Sequence, residues 1–419
     1  MNVSYITLRP HDPVIARDSR PFSAGIRMKS LDWPYPSVLA GSVRTILGKM
    51  KMSSSPADQS AFGQTEVAAL KDVFVHGPLP VVNNILYFPA PKDILVKDFG
   101  GKCDEAYAIR PAPLEEGEGC DLPEGICQPP MLSSRARDEF KPATIAAFWS
   151  VDTMASWLVN TDGLRFEAPK ASDTGERKPV GIDQPCKESR FHSEINPDRG
   201  VAEDSLLFET IGLDLNLKNQ PDGIGLSARI ETDAQNHYAN SGFETFGAFG
   251  GERRLTYFKT EKNQPDGWEC PEKVINALKS ASLIRMILAT PTVFSQGWLP
   301  GWIDKKTLIG TPPCVPEDQA DKIRLKLVSA CIERWKPLSG FSLEQGTRGP
   351  KILRRIVPAG SVYFFEIESG KSSDLAQYWL QPVSDALQDR KDGFGLALWG
   401  IWDYEQNSGS IRKKMEVKL

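Results

Sequence analysis

Between Glu344 and Glu366 the chain carries Arg348, Lys351, Arg354 and Arg355 and no acidic residue, with Gly346 and Gly349 flanking Arg348. A guanidinium is a planar fork of donors that matches a phosphate and also stacks on a base. The run joins a loop to an extended segment, so alternate side chains can face one surface. That is the chemistry of gripping a nucleic-acid backbone. The same run also fits a solvated hairpin with ordinary surface charge, and spacing alone leaves both readings open.

Two glycine-rich segments add to it. Gly247, Gly250 and Gly251 precede Glu252, Arg253 and Arg254, and Gly393 and Gly395 follow Lys391. Glycines let backbone N–H groups point outward together and let a phosphate come close. They also make tight turns. Neither segment joins a strand to a helix, so neither is a dinucleotide fingerprint.

Other candidates carry less. Metal-independent RNA cleavage commonly uses a histidine as general acid or base. The four histidines are His11, His76, His192 and His237; His11 lies beside Arg17, Asp18 and Arg20 and reads as either catalytic or an interface residue. Cys103, Cys120, Cys127 and Cys186 could form a zinc site or be ordinary thiols, and their spacing matches no common zinc module. The acidic group Glu115, Glu116, Glu118 and Asp121 lacks the spacing of a calcium loop. Trp298, Trp302, Trp335, Trp399 and Trp402 could stack on bases or fill a core. No metal and no cofactor is expected.

The elements that must position these residues follow from the whole chain. It has 419 residues, 40% apolar and 25% charged, with a net charge of −4. That charge excludes a protein that coats nucleic acid indiscriminately, although a basic groove can sit on an acidic body. Seven cysteines without a C-x-x-C pair, no signal core and no long apolar run make a reduced, cytoplasmic protein without a membrane anchor the expectation.

Alternation predicts a first strand at Val3–Leu8, and Leu39, Val43, Ile46, Leu47 and Met50 share one face of a helix over about 37–50. Strands are predicted at Val73–Val75 and Ile85–Phe88 around an Asn83-Asn84 turn. Eight acids against two bases between Asp98 and Cys127, and a polar stretch over 170–200, read as a surface insertion of about 92–203. Pattern resumes at 205–216, 224–230 and 246–258. A linker-like piece then precedes a strand near Leu283–Ala289. Ile323, Leu327, Ala330 and Cys331 suggest a helix over 318–334. Strands follow at 352–357 and 361–367, then a helix through Leu375, Trp379, Val383 and Leu387 kinked by Pro382, and a last strand at 396–402. The C-terminal order is β-α-β-β-α-loop-β. The expected fold is α+β, two tandem ferredoxin-like (RRM-like) domains. The first, 1–277, carries the insertion; the second is 278–419.

Seven segments together resemble one family: ARDSRPFSAG (16–25), WPYPSVLAGSVRTILG (33–48), FHSEINPDRGVAEDSLLFET (191–210), GAFGGERR (247–254), TPTVFSQGWLPG (290–301), GPKILRRIVPAGSVYFFEIESG (349–370) and GFGLALWGIWDY (393–404). They look like the third subunit of the Cmr module, a RAMP-superfamily component of type III-B CRISPR–Cas effector complexes. The resemblance implies tandem RAMP domains and a structural, non-catalytic role. It implies holding the 5′ tag of the CRISPR RNA beside the large polymerase-like subunit, with a backbone RAMP subunit and the small-subunit filament as further partners. By position it assigns an RNA or interface role to Arg17, Arg20, Gly250, Gly251, Arg253, Gly393 and Gly395. Arg254, Arg348, Lys351, Arg354 and Arg355 join them on the charge argument. The alternative within the same superfamily is an endoribonuclease that matures CRISPR RNA.

Overall fold

The computed structural model describes residues 2–17, 30–54, 64–98, 103–114, 116–120, 122–123, 125–126, 128–133, 140–161, 163–167, 181–216, 223–232, 242–342, 346 and 348–404. The chain opens with β1 (Asn2–Pro10) and α1 (Pro36–Ser54). Pro36 starts the helix where a missing N–H costs nothing. The expected face is the buried one: Leu39, Val43, Ile46 and Leu47 pack on the sheet. α2 (Gln64–Lys71) has no counterpart among the elements expected from sequence. β2 (Phe74–Val82) and β3 (Ile85–Pro89) meet at Asn83 and Asn84, whose φ values of 50° and 61° are those a two-residue hairpin turn requires.

The stretch read as a polar insertion is built rather than loose. β4 (Ile94–Asp98), β5 (Cys103–Pro111) and β6 (Pro130–Leu132) form a small sheet. β7 (Phe148–Ser150) leads directly into α3 (Val151–Val159), which Ser150 caps by accepting from the Thr153 N–H. β8 (Gly163–Glu167) pairs with β5, and β9 (Gly181–Ile182) with β7. Trp149 and Trp157 lie in the central core, so the expected surface insertion does not hold for 148–159. A short apolar segment sits there inside a polar average, which masks it.

β10 (Cys186–Ile195) and β11 (Ala202–Asp214) form a two-stranded arm, tied at its base by Leu213 of β11, which exchanges backbone hydrogen bonds with Val14. β12 (Gly225–Thr232), β13 (Glu244–Ala248) and β14 (Leu255–Thr260) complete an eight-stranded sheet in the order β13-β14-β1-β12-β2-β3-β7-β9.

α4 (Glu272–Leu278) precedes a second sheet that starts with β15 (Leu283–Leu288) and β16 (Ile309–Gly310). β17 (Ile323–Cys331) stands where a helix was expected. Ile323, Leu325 and Leu327 are buried while Arg324 and Lys326 are exposed, a period of two; Ile323 and Leu327 satisfy both periods, and the ladder to a neighbouring strand decided. Three short strands, β18 (Lys336–Leu338), β19 (Phe341–Ser342) and β20 (Gly349–Pro350), lead to β21 (Arg354–Ile356) and β22 (Val362–Gly370). The last expected helix is replaced by a 3-10 turn over Ser372–Tyr378, then β23 (Gln381–Pro382) and α5 (Leu387–Lys391). Pro382 lacks the N–H a helix needs, and the chain uses it on a sheet edge instead. β24 (Leu396–Ile401) closes the sheet β16-β17-β22-β15-β24-β23. The fold is mixed, with mostly antiparallel sheets and few helices. Among the described residues no helix is long and apolar enough to cross a membrane.

One buried ion pair locks the halves together. Arg285 on β15 donates from Nη1 to Asp93 Oδ2 at 2.7 Å, with the two side chains 2% and 0% exposed. Its Nη2 donates to the Trp157 and Asn160 carbonyls at the end of α3, where a cation complements the helix dipole. Trp157 Nε1 donates to the other Asp93 oxygen at 2.8 Å. Removing one partner strands a buried charge, at a cost of about 3–5 kcal/mol. Asp93→Ala should lower stability by that amount in thermal or denaturant unfolding. Asp93→Leu with Arg285→Met should recover most of it. A single variant as stable as the parent chain would show that the pair does not have this role.

Candidate nucleic-acid interface

A cleft of about 840 Å³ lies where the glycine-arginine segments meet. One wall is the outward side of α1: Gly41, Ser42, Thr45 and Lys49. The second is Thr245–Glu252, and the third is Ile15–Arg17. Gly340 and Phe341 close it from the C-terminal half. Phe246 and Phe341 are 61% and 59% exposed at the site, an uncommon placement for rings that could be buried. Phe246 packs on Tyr257, its cross-strand partner, at 5.2 Å.

The glycines of the two loops make close backbone contacts. Gly250 has φ 77°, and a Cβ there would lie 2.5 Å from the Ile15 carbonyl oxygen. The Gly251 N–H donates to that oxygen at 2.7 Å. The loop therefore staples the segment bearing Arg17 to β14. Gly393 has φ 89°, and its added Cβ would strike the Val75 carbonyl oxygen at 2.5 Å; its N–H goes to Arg390. Gly395 is buried beside Ser384 and Thr292 and donates to Pro291. The N–H groups of Gly251, Gly393 and Gly395 are thus spent inside the protein. At these positions the chain packs backbone on backbone, an approach that glycine permits.

The cations differ in placement. Arg17 lines the cleft and is exposed. Arg253, one residue past the cleft wall, is exposed with φ 49°, and Arg254 is half-buried. Arg348 and Lys351 are exposed and bracket β20, which pairs with Phe341 and Ser342; the Lys351 N–H donates to Gly340 at 2.8 Å. These belong to the cleft hairpin. Arg354 and Arg355 do not act together. Arg354 binds buried Asp389 at 2.8 Å, while Arg355 lies 4.7 Å from the centroid of the Trp335 ring. Adjacent strand residues face opposite sides, so this split is geometric. Arg20 lies outside the described residues.

Phe246, Phe341 and Lys49 escape a reading of the sequence because each is isolated there. The Phe246–Tyr257 pairing is visible only once β13 and β14 are in register. Of the stacking candidates, Trp399 and Trp402 are buried, and Trp335 is exposed. Cys120 and Cys186 are exposed free thiols, and Cys127 lies outside the described residues. The described residues include no cluster of metal-binding type.

The histidines are dispersed. His11 is exposed at the end of β1. His192 on the arm bonds Thr210 Oγ1 at 2.8 Å and stacks on Phe208. His237 lies outside the described residues. His76 is fully buried, its Nδ1 2.7 Å from Arg229 Nη2, with Glu231 3.5 Å away. Burial first, and the Arg229 charge second, hold its pKa well below the ordinary 6.5. It is neutral when folded and gains a proton more readily when unfolded. Stability from this site is complete above pH 6.5 and is lost as pH falls below it. The thermal midpoint should therefore drop between pH 7 and pH 5, and His76→Gln should flatten that dependence. An equal slope in the two chains would assign it to other groups.

Comparison with known proteins supplies the context. The family described as CRISPR-associated protein (Cas_Cmr3) matches residues 6–402. No curated protein matches. A chain of the solved structure described as the type III-B Cmr-beta complex bound to cognate target RNA aligns with a TM-score of 0.45 at 11% identity, covering 94% of this chain and 96% of that one. A second, with cognate target RNA and AMPPnP, has a TM-score of 0.43 at 11% identity, covering 88% and 87%. A chain of the Csm3-Csm4 subcomplex of the type III-A CRISPR-Cas interference complex has a TM-score of 0.32 at 10% identity, covering 88% and 94%.

Proposed function

The chain belongs to the Cas_Cmr3 family of CRISPR-associated proteins, and from that premise we propose that it is a non-catalytic, RNA-binding structural subunit of a type III-B interference complex. In this reading it holds the 5′ tag of the CRISPR RNA and docks the large polymerase-like subunit, next to a backbone RAMP subunit and the small-subunit filament. The carrying observation is the cleft: Arg17 and Lys49 line it with exposed Phe246 and Phe341, and the hairpin that bears Arg348 and Lys351 adjoins it through Phe341. Cations for phosphates next to rings for bases are what single-stranded RNA needs. We read each half as a ferredoxin-like unit, divided near residue 277. The orders β14-β1-β12-β2 and β24-β15-β22-β17 support this, because in each the fourth strand lies beside the first and the third beside the second.

The arm supports assembly with protein partners. Register places Phe191 and Leu207 on one face, 68% and 66% exposed, and among the described residues no third strand joins the pair there. Such side chains are costly to leave wet unless a partner takes them.

Removing one cation from a phosphate should reduce the salt slope of binding by about one. Arg17→Ala with Arg348→Ala should therefore weaken guide-RNA binding by the assembled complex and lower that slope by about two, while Arg354→Ala should mainly destabilise the fold by stranding Asp389. RNA affinity unchanged across several salt concentrations in the first variant would sink the reading.

The competing reading is an endoribonuclease centred on His11, the one described histidine that is exposed and unengaged. Incubated with repeat RNA in chelator, the purified chain should leave it intact. Metal-free cleavage that disappears in His11→Ala would replace the binder with the enzyme.

A further inference from the structure

Trp335 stands apart from the tryptophans of both sheets, which are buried: it is 43% exposed. It sits just before β18, and Arg355 on the paired strand β21 covers its ring with a guanidinium 4.7 Å from the centroid. The two flank a cavity of about 520 Å³ whose floor is Leu122, Ile126, Ile332 and Val357. That volume falls in the range of roughly 300–1,000 Å³ typical of small-molecule sites. This cavity shares no lining residue with the cleft.

Two further observations point to a polar ligand. Ser329 lines the cavity, is 1% exposed, and its hydroxyl has no hydrogen-bond partner among the described residues. A buried hydroxyl left unpaired is costly, and native structures rarely keep one without reason. The register of β17 on β22 slips between Leu327 and Ser329, a bulge of the kind that re-aims a side chain. The rim is also cationic. Arg334 and Arg355 form no ion pair among the described residues, while the acid beside them, Glu333, is neutralised by Lys92 at 2.7 Å.

We propose that this cavity is a second binding site, which takes the base and phosphate of one unpaired nucleotide. The apolar floor and the Trp335 ring accept the flat base. Ser329 Oγ, able to donate or accept, pairs with the base edge. Arg334 and Arg355 hold the phosphate. The same chemistry serves a nucleotide splayed out from a bound RNA chain or a free nucleoside monophosphate.

The test uses the full chain with two probes, AMP and a ten-nucleotide single-stranded RNA, each titrated by calorimetry. Removal of base–aromatic stacking predicts about a tenfold fall in affinity for Trp335→Ala, with Trp335→Phe retaining most binding. Ser329→Ala should weaken binding about threefold without lowering the thermal midpoint of the ligand-free chain, since it removes an unpaired hydroxyl. Arg17→Ala, in the other site, should leave AMP binding intact. AMP binding that falls in these variants, with RNA unaffected, identifies a free nucleotide as the ligand. RNA binding that falls, with no AMP binding, identifies a chain nucleotide. Both support the site. It is overturned if neither probe binds, or if both bind equally to the parent chain, Trp335→Ala and Ser329→Ala. Should Trp335→Ala instead impair assembly with another subunit while leaving both probes unaffected, the occupant is a protein segment and the proposal fails.

Discussion

The Asp93–Arg285 pair is the constraint on which the rest of the molecule depends. A guanidinium in the centre of a sheet must find compensation for lost water, and nothing on its own strand supplies it. Asp93 precedes β4 and the accepting carbonyls end α3, so Arg285 is stable only if the first half brings both elements to it. Gly400, beside Arg285 in the ladder, leaves room for this; a Cβ there would lie 2.6 Å from the Leu158 carbonyl oxygen. The segment that looked like an insertion is therefore part of the joint. Specificity of register is what such a pair contributes best, because an apolar contact would tolerate sliding.

The same junction is reinforced away from the pair. Arg44 of α1 reaches Asp392 and the Lys391 carbonyl, and Lys391 reaches Asp72 at 2.7 Å. Arg229 donates to the Leu380 carbonyl at 3.1 Å. Gly393 lets the last loop of one half lie against β2 of the other. The cleft takes walls from both halves, with Phe341 contributed by the second and Arg17 by the first. Its shape is therefore a property of the joint, and mutations far from it can alter it by loosening that joint.

Charge is arranged economically. The chain is net acidic, yet Arg17, Arg253, Arg348 and Lys351 are exposed in or around one region. A local positive surface on an acidic body favours a defined segment of polyanion over indiscriminate coating. Arg354 shows the converse. Sequence places it in the same basic run, but a buried carboxylate claims it.

Some of this was legible in the residues alone. The face of α1, the Asn83-Asn84 turn, β1, β22 and β24 follow from local period and turn chemistry, which neighbours in the chain specify. The family resemblance was carried by seven segments spread along the chain, taken together. Tertiary structure decided what local pattern left open. Residues 323–331 are a strand because β22 offers a ladder, although Ile323 and Leu327 also suit a helix. The acceptors that the N–H groups of Gly251, Gly395 and Gly393 find, at Ile15, Pro291 and Arg390, are set by the fold. The glycine-arginine segments were visible from sequence; which of their atoms remain open to a ligand depended on partners distant in the chain, and no spacing rule encodes those.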